Sequence, residues 1–172
     1  MHVVFVEPRF PANQKRFVFA LRDVGAAVSA VGEAPPEALG GDLRDALAAY
    51  EQVGSVCDEG AVQEAVKRIM KRGWVDRLEA TVEAHILPIA RVRARCGIPG
   101  TSEETAFLCR DKPAMKEALR AAGVPTARSI GTDSADEVRA FAREVGFPII
   151  LKPRAAAGAP GTFKASDAAG LA

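Results

Sequence analysis

Two lysines stand where the sequence could do phosphate chemistry. Lys152 ends the apolar run Phe147-Pro148-Ile149-Ile150-Leu151. It precedes Pro153 and a stretch almost free of side-chain bulk, Ala155-Ala156-Ala157-Gly158-Ala159-Pro160-Gly161-Thr162. Such a loop lets backbone N–H groups approach polyphosphate oxygens closely, and the lysine adds a point charge at its edge. Lys112 opens a helix predicted from Asp111-Lys112-Pro113-Ala114-Met115-Lys116-Glu117-Ala118-Leu119. A cation in a first turn opposes the helix macrodipole, so local stability does not account for it, whereas facing an anion would. Taken singly, each lysine also fits a plainer account: one snorkelling beside a surface turn, the other solvated. Their order and spacing favour an anion site.

The elements that must position them fall into two halves. In the first, short apolar runs alternate with helical spacing. Val3 to Val6 reads as a buried strand. Asn13 caps a helix with Phe17, Ala20, Leu21 and Val24 on its apolar face, closed by Gly25. Ala27 to Val31 is a second strand, followed by a Pro35-Pro36 loop, a short helix from Asp42 to Ala49 and a brief strand from Gln52 to Val56. Asp58 caps a helix carrying Val62, Ala65, Val66, Ile69 and Met70. Trp74 to Leu78 is another strand, ending in Glu79, and Thr81 to Arg95 is a helix that Pro88 should bend. Strands separated by helices predict a Rossmann-like parallel sheet covered on both faces, over residues 1–98.

The pattern changes after Gly97-Ile98-Pro99-Gly100. Thr101 with Glu104 makes a capping box, and Asp111 with Pro113 starts the next helix, ended by Gly123 and Pro125. A strand near Thr126 to Ile130, a helix opened by Ser134 and Glu137, a buried strand over 147–153 and a returning strand over 162–166 follow. Residues 99–172 therefore predict a small α+β part.

The text Cys109-Arg110-Asp111-Lys112-Pro113-Ala114-Met115-Lys116, then Gly123-Val124-Pro125-Thr126, then Gly146-Phe147-Pro148-Ile149-Ile150-Leu151-Lys152-Pro153 and the small-residue loop resembles the ATP-grasp superfamily. The branch is that of biotin carboxylase, carbamoyl phosphate synthase and carboxylate–amine ligases. The resemblance implies that Lys112 and Lys152 reach ATP phosphates beneath a loop containing Ala156, Ala157, Gly158, Ala159, Gly161 and Thr162. It also implies a pre-ATP-grasp domain over residues 1–98. The expected ligands are ATP, Mg2+ and a small carboxylate or amine substrate. The resemblance further implies that the adenine hinge and the acidic and Asn magnesium ligands come after Ala172, so the chain alone should be inactive. The loop departs from many relatives in its alanines and in Pro160, which has no N–H to donate.

Other residues carry less. Glu7-Pro8-Arg9-Phe10-Pro11 is not a GxGxxG turn, which argues against dinucleotide binding. Glu7, Arg9 and Glu79 sit at strand ends and could line an acceptor cleft, with surface salt bridging as the expected role. His85 reads as a core or boundary histidine. Lys67, Arg68, Lys71 and Arg72, like Arg91, Arg93 and Arg95, read as solvated helix faces. A net charge of +1 shows no footprint for nucleic acid or anionic lipid, and no apolar stretch is long enough to span a bilayer. Three widely spaced cysteines read as reduced, buried thiols of a cytoplasmic protein. Two functions remain open: an ATP-dependent ligase forming an acyl phosphate, or a non-catalytic Rossmann-like module binding a small ligand or nucleotide.

Overall fold

The structure is a computed structural model that describes residues 1–155 and 161–171. The chain divides into two compact units, Met1–Ala106 and Phe107–Ala172.

Unit 1 is built on four parallel strands. They are β1 (His2–Val6), β2 (Ala27–Gly32), β3 (Ala49–Gln52) and β4 (Arg77–Glu79), in the order β3-β2-β1-β4. Alternation along β1 explains the layering, because successive side chains leave opposite faces of a strand. Val4 and Val6 enter a core with Val62, Val66 and Ile69 of α3 (Glu59–Met70) and Ile89 and Val92 of α4 (Ile86–Arg95). Val3 and Phe5 enter the other core, with Val18 of α1 (Lys15–Asp23) and Leu43 and Ala46 of α2 (Gly41–Ala46). The parallel sheet covered on both faces is the one the sequence predicts.

Several local expectations are corrected. α1 turns a different face inward. Val18 is fully buried, while Val24 is 76% exposed and Phe17 stacks on the Phe5 ring at 5.9 Å. Asn13 is not its cap, because the helix begins after Gln14, which makes no side-chain cap bond. β3 lies three residues earlier than expected, since Ala49 to Gln52 pair with Ser29 to Gly32. Trp74 is outside β4 and 60% exposed. Pro88 does not bend a helix. It occupies the first turn of α4, after a 3-10 turn over Glu83–His85, where no intrahelical N–H is needed. The cap of α5 (Glu103–Arg110) is Ser102, whose Oγ accepts the Thr105 N–H at 3.1 Å, rather than Thr101. Asp58 does cap α3, accepting from Ala61 at 3.0 Å.

Arg93 is the largest departure in this unit. It is 5% exposed rather than solvated. Its guanidinium donates to the Leu78 carbonyl at 2.7 and 3.1 Å, to the Thr101 carbonyl at 2.7 Å and to Glu79 Oε2 at 3.0 Å. The carbonyl at the end of β4 is thereby satisfied by a side chain. Glu79 is the salt-bridging carboxylate the sequence suggests, but Glu7 is not, being 5% exposed with no ion pair among the described residues. The buried-thiol expectation also fails, because Cys57 and Cys109 are exposed; all three cysteines are free.

Unit 2 contains α6 (Lys112–Ala121), α7 (Ala135–Val145) and an antiparallel pair, β5 (Ile149–Leu151) and β6 (Phe163–Ala165). Its core is small: Ala142, Ile149 and Ala165, flanked by Val138, Val145, Leu151 and Leu171. β5 is less buried than expected, with Ile150 55% exposed. The segment 124–130 forms no strand. Ser134 caps α7 by accepting the Glu137 N–H at 3.4 Å. α6 ends as expected at Gly123, whose N–H bonds the Arg120 carbonyl while Val124 bonds Leu119, a paired closure of the last turn. Among the described residues no helix is long and apolar enough to cross a membrane.

The layering has a direct stability test. Ile69 is fully buried between α3 and the sheet, so Ile69→Ala should cost about 2–5 kcal/mol in denaturant unfolding of unit 1. Val24→Ala, on an exposed position, should stay within about 0.5 kcal/mol. Similar losses at both positions would contradict the assigned faces.

Candidate functional site

The lysines named from sequence lie on two elements of unit 2 that polar contacts join. Asp111 caps α6, its Oδ1 accepting the Ala114 N–H at 2.9 Å, which makes Lys112 the first helical residue. Lys152 follows the end of β5, and Leu151 is paired with Phe163, so residues 152–162 connect the two antiparallel strands. Lys152 therefore owes its place to a hairpin connection, not to the end of an open parallel sheet.

Residues 110–112 and 154–155 are stitched together. Arg154 Nε donates to Asp111 Oδ2, Arg110 Nη2 to the Ala155 carbonyl, and both the backbone N–H and Nζ of Lys112 to the Arg154 carbonyl at 3.4 and 3.3 Å. The Arg154 guanidinium, with the Ala114 N–H, holds the Asp111 carboxyl below its ordinary range. On the far side, the segment after α6 packs close: a Cβ at Gly131 would stand 2.8 Å from Pro113 Cγ, so only glycine fits there.

Lys116 joins this set, and sequence reasoning missed it. It is one turn after Lys112 on the same helix face, and that i, i+4 spacing was the available signal. It is half-buried and donates to the Ala127 carbonyl at 3.4 Å. Burial lowers its pKa, and the ammonium of Lys152 and the guanidinium of Arg120 lower it further. Lys116 and Lys152 therefore feel each other's charge, and neither has a carboxylate partner among the described residues. An anion among them would relieve that repulsion. Arg154 and its pairing with Asp111 were equally unforeseen, because nothing in the local text links residues so far apart.

Of the loop residues, Gly161 and Thr162 are described. Gly161 has a left-handed φ of 71° and sits against Pro153, where the loop closes, and Thr162 leads into β6. Ala156, Ala157, Gly158 and Ala159 lie outside the described residues. Among the described residues no group of three or more His, Cys, Asp or Glu side chains is gathered that could hold a metal ion. The donor set suits phosphate oxygens and does not form a metal site.

The Asp111–Arg154 pair gives a pH test. A carboxylate with a lowered folded-state pKa contributes stability above its ordinary value of 3.8 and loses it as pH falls through the lowered value. Asp111→Asn keeps a cap acceptor and removes the ion pair. The variant should be less stable than the parent at neutral pH, with the gap closing as pH drops below 3.8. Urea unfolding across that range measures it, and a pH-independent gap would refute the pairing.

Comparison with known proteins bears on this set. The family model described as "Carbamoyl-phosphate synthase L chain, ATP binding domain" matches residues 111–172, which begin at the Asp111 cap. The chain is similar to the L-arginine-specific L-amino acid ligase of Bacillus subtilis, 33% identical over 111 residues, covering 64% of this chain and 27% of that one. Among solved structures it resembles the L-amino acid ligase from Bacillus licheniformis, with a TM-score of 0.70 at 19% identity over 99% of this chain and 40% of that one. It also resembles the biotin carboxylase domain of the Hydrogenobacter thermophilus 2-oxoglutarate carboxylase, with a TM-score of 0.75 at 22% identity over 98% and 38%. The chain spans 27% and 23% of the length of the first two curated relatives it matches. Residues 111–172 thus match an ATP-binding domain, and the chain is similar in sequence to amino acid ligases and in fold to biotin carboxylase.

Proposed function

We propose that unit 2 forms part of the nucleotide site of an ATP-dependent carboxylate–amine ligase, with Lys112, Lys116 and Lys152 facing the ATP phosphates. The observation that carries this reading is the grouping of cations on α6 and at the end of β5, beside the loop that Pro153 and Gly161 close. Gly161 and Thr162, with Ala156, Ala157, Gly158 and Ala159, are the backbone donors assigned to the phosphates. Phosphoryl transfer needs positioning and charge neutralisation more than covalent help, and ammonium groups with backbone N–H groups supply both.

In the reaction proposed, a carboxylate oxygen of the substrate attacks the γ-phosphorus of ATP, and the bond to the bridging oxygen breaks to release ADP. An amine nitrogen then attacks the acyl carbon, the acyl–oxygen bond breaks, and phosphate leaves as the nitrogen gives up a proton. The lysines hold the phosphates in line and balance charge that grows on the departing ADP. Names of similar proteins as amino acid ligases support this class of reaction. Mg2+ would accompany the ATP, as the MgADP bound to a similar biotin carboxylase domain suggests, and would add charge neutralisation at the phosphates. Three free cysteines suit a reducing, cytoplasmic setting.

Lys152→Ala in the complete enzyme tests the reading. A charge-assisted hydrogen bond to phosphate is worth roughly 1.5–3 kcal/mol. The variant should therefore weaken ATP binding or slow turnover by about one to two orders of magnitude. Arginine should rescue poorly, because its planar fork does not reproduce a compact ammonium. The melting temperature should scarcely move, Lys152 being exposed. Parental kinetics in Lys152→Ala would end this assignment.

A further inference from the structure

Lys112, Lys116 and Arg120 follow one another at intervals of four along α6, so three cations stack on one face of the helix. Like charges at that spacing repel, and Lys152, just after β5, adds a fourth positive charge beside Lys116. Lys116 sits in the middle of the group. It is half-buried, and among the described residues it meets no carboxylate. Its Nζ donates to the Ala127 carbonyl at 3.4 Å, a long bond that is easily given up. Arg128, the cation next to Ala127, is turned away to Glu144 at 3.8 Å. Burial first, and then the charges of Lys152 and Arg120, lower the Lys116 pKa.

Two lysines of unit 1 are placed in the opposite way. Lys15 reaches Asp42 at 3.2 Å, and Lys67 reaches Glu64 at 2.8 Å, which raises the Lys67 pKa. A lysine that gives up its proton readily is a nucleophile, and one among other cations also gathers anionic reagents around it. An acyl phosphate answers both features, because it joins an electrophilic acyl carbon to an anionic phosphate.

We infer that Lys116 is a site of Nε-acylation by small acyl phosphates, whose phosphate group is received by Lys112, Arg120 and Lys152. The neutral Nζ of Lys116 attacks the acyl carbon and forms an amide bond. The bond from that carbon to the phosphate oxygen breaks, phosphate leaves with the electron pair, and the nitrogen gives its extra proton to water. The amide carries no charge, so the step removes the central cation of the group. That this would weaken a nucleotide site rests on the function proposed above; the reactivity of Lys116 does not.

The chain is incubated with acetyl phosphate in mildly alkaline buffer without nucleotide, and the acetylation rate at each lysine is read by peptide mass spectrometry. Lys116 should react at least about tenfold faster than Lys67, although Lys67 is the more exposed. Lys152→Ala removes a neighbouring positive charge, so it should slow Lys116 several-fold, move the midpoint of its pH–rate profile upward and leave Lys67 unchanged. Equal rates at Lys116 and Lys67, or a Lys116 rate and profile unmoved in Lys152→Ala, would overturn the assignment. Either failure leaves the nucleotide reading standing, because ammonium groups that keep their protons still receive phosphate. Parental ATP kinetics in Lys152→Ala would remove that reading without touching the acetylation rates.

Discussion

The carboxylate of Asp111 accepts the Ala114 N–H with one oxygen and the Arg154 guanidinium with the other, and the candidate phosphate site depends on both bonds. The first starts α6 and so sets where Lys112 and, one turn later, Lys116 stand. The second ties that helix start to the chain just after Lys152. α6 buries no residue of its own, so hydrophobic packing does little to fix its position. Polar contacts between residues 110–112 and 154–155 take that role. Neutralising Asp111 with Arg154 also leaves the lysines as the charges an incoming anion would meet.

Unit 1 is organised differently. Two apolar cores fix the sheet, and the strand ends are where polar groups must be satisfied. Arg93 does so for the end of β4, reaching the Leu78 carbonyl, the Thr101 carbonyl and Glu79 together. At the end of β1 the solution is incomplete. Gly32 gives Tyr50 room, since a Cβ there would stand 2.8 Å from its hydroxyl, and that hydroxyl is spent on the Ala34 carbonyl at 2.6 Å. Burial and the charge of Glu7 raise the Tyr50 pKa to about 12, so it stays a neutral donor. Burial, and then the nearby Glu33 carboxylate, push the Glu7 pKa up, while the charge of Arg9 opposes them.

The sheet was legible because β1 reads as a continuous apolar run and α3 carries its buried residues at helical spacing behind an aspartate cap. Those are local signals for local structure. The start of α6 was legible for the same reason, Asp111 and Pro113 being cap and first-turn residues. α1 misled because Phe17, Leu21 and Val24 share a helical face while burial is decided by Val18 against the sheet. Arg93 read as solvated because its partners, Leu78 and Thr101, are brought to it only by the fold. Of the site, the two named lysines lie beside connected elements, whereas Lys116, Arg154 and the buried state of Glu7 depend on tertiary contacts. No pattern along the chain encodes those.

The central claim is that the cations of unit 2 receive phosphate, and direct mapping of inorganic triphosphate and adenosine onto the labelled chain tests it most closely. Triphosphate should shift the signals of Lys112, Lys116 and Lys152, adenosine should leave them in place, and added salt should weaken the response, as it does for exposed charges. Shifts produced by adenosine but not by triphosphate, or a triphosphate response that leaves all three lysines unmoved, would contradict the account.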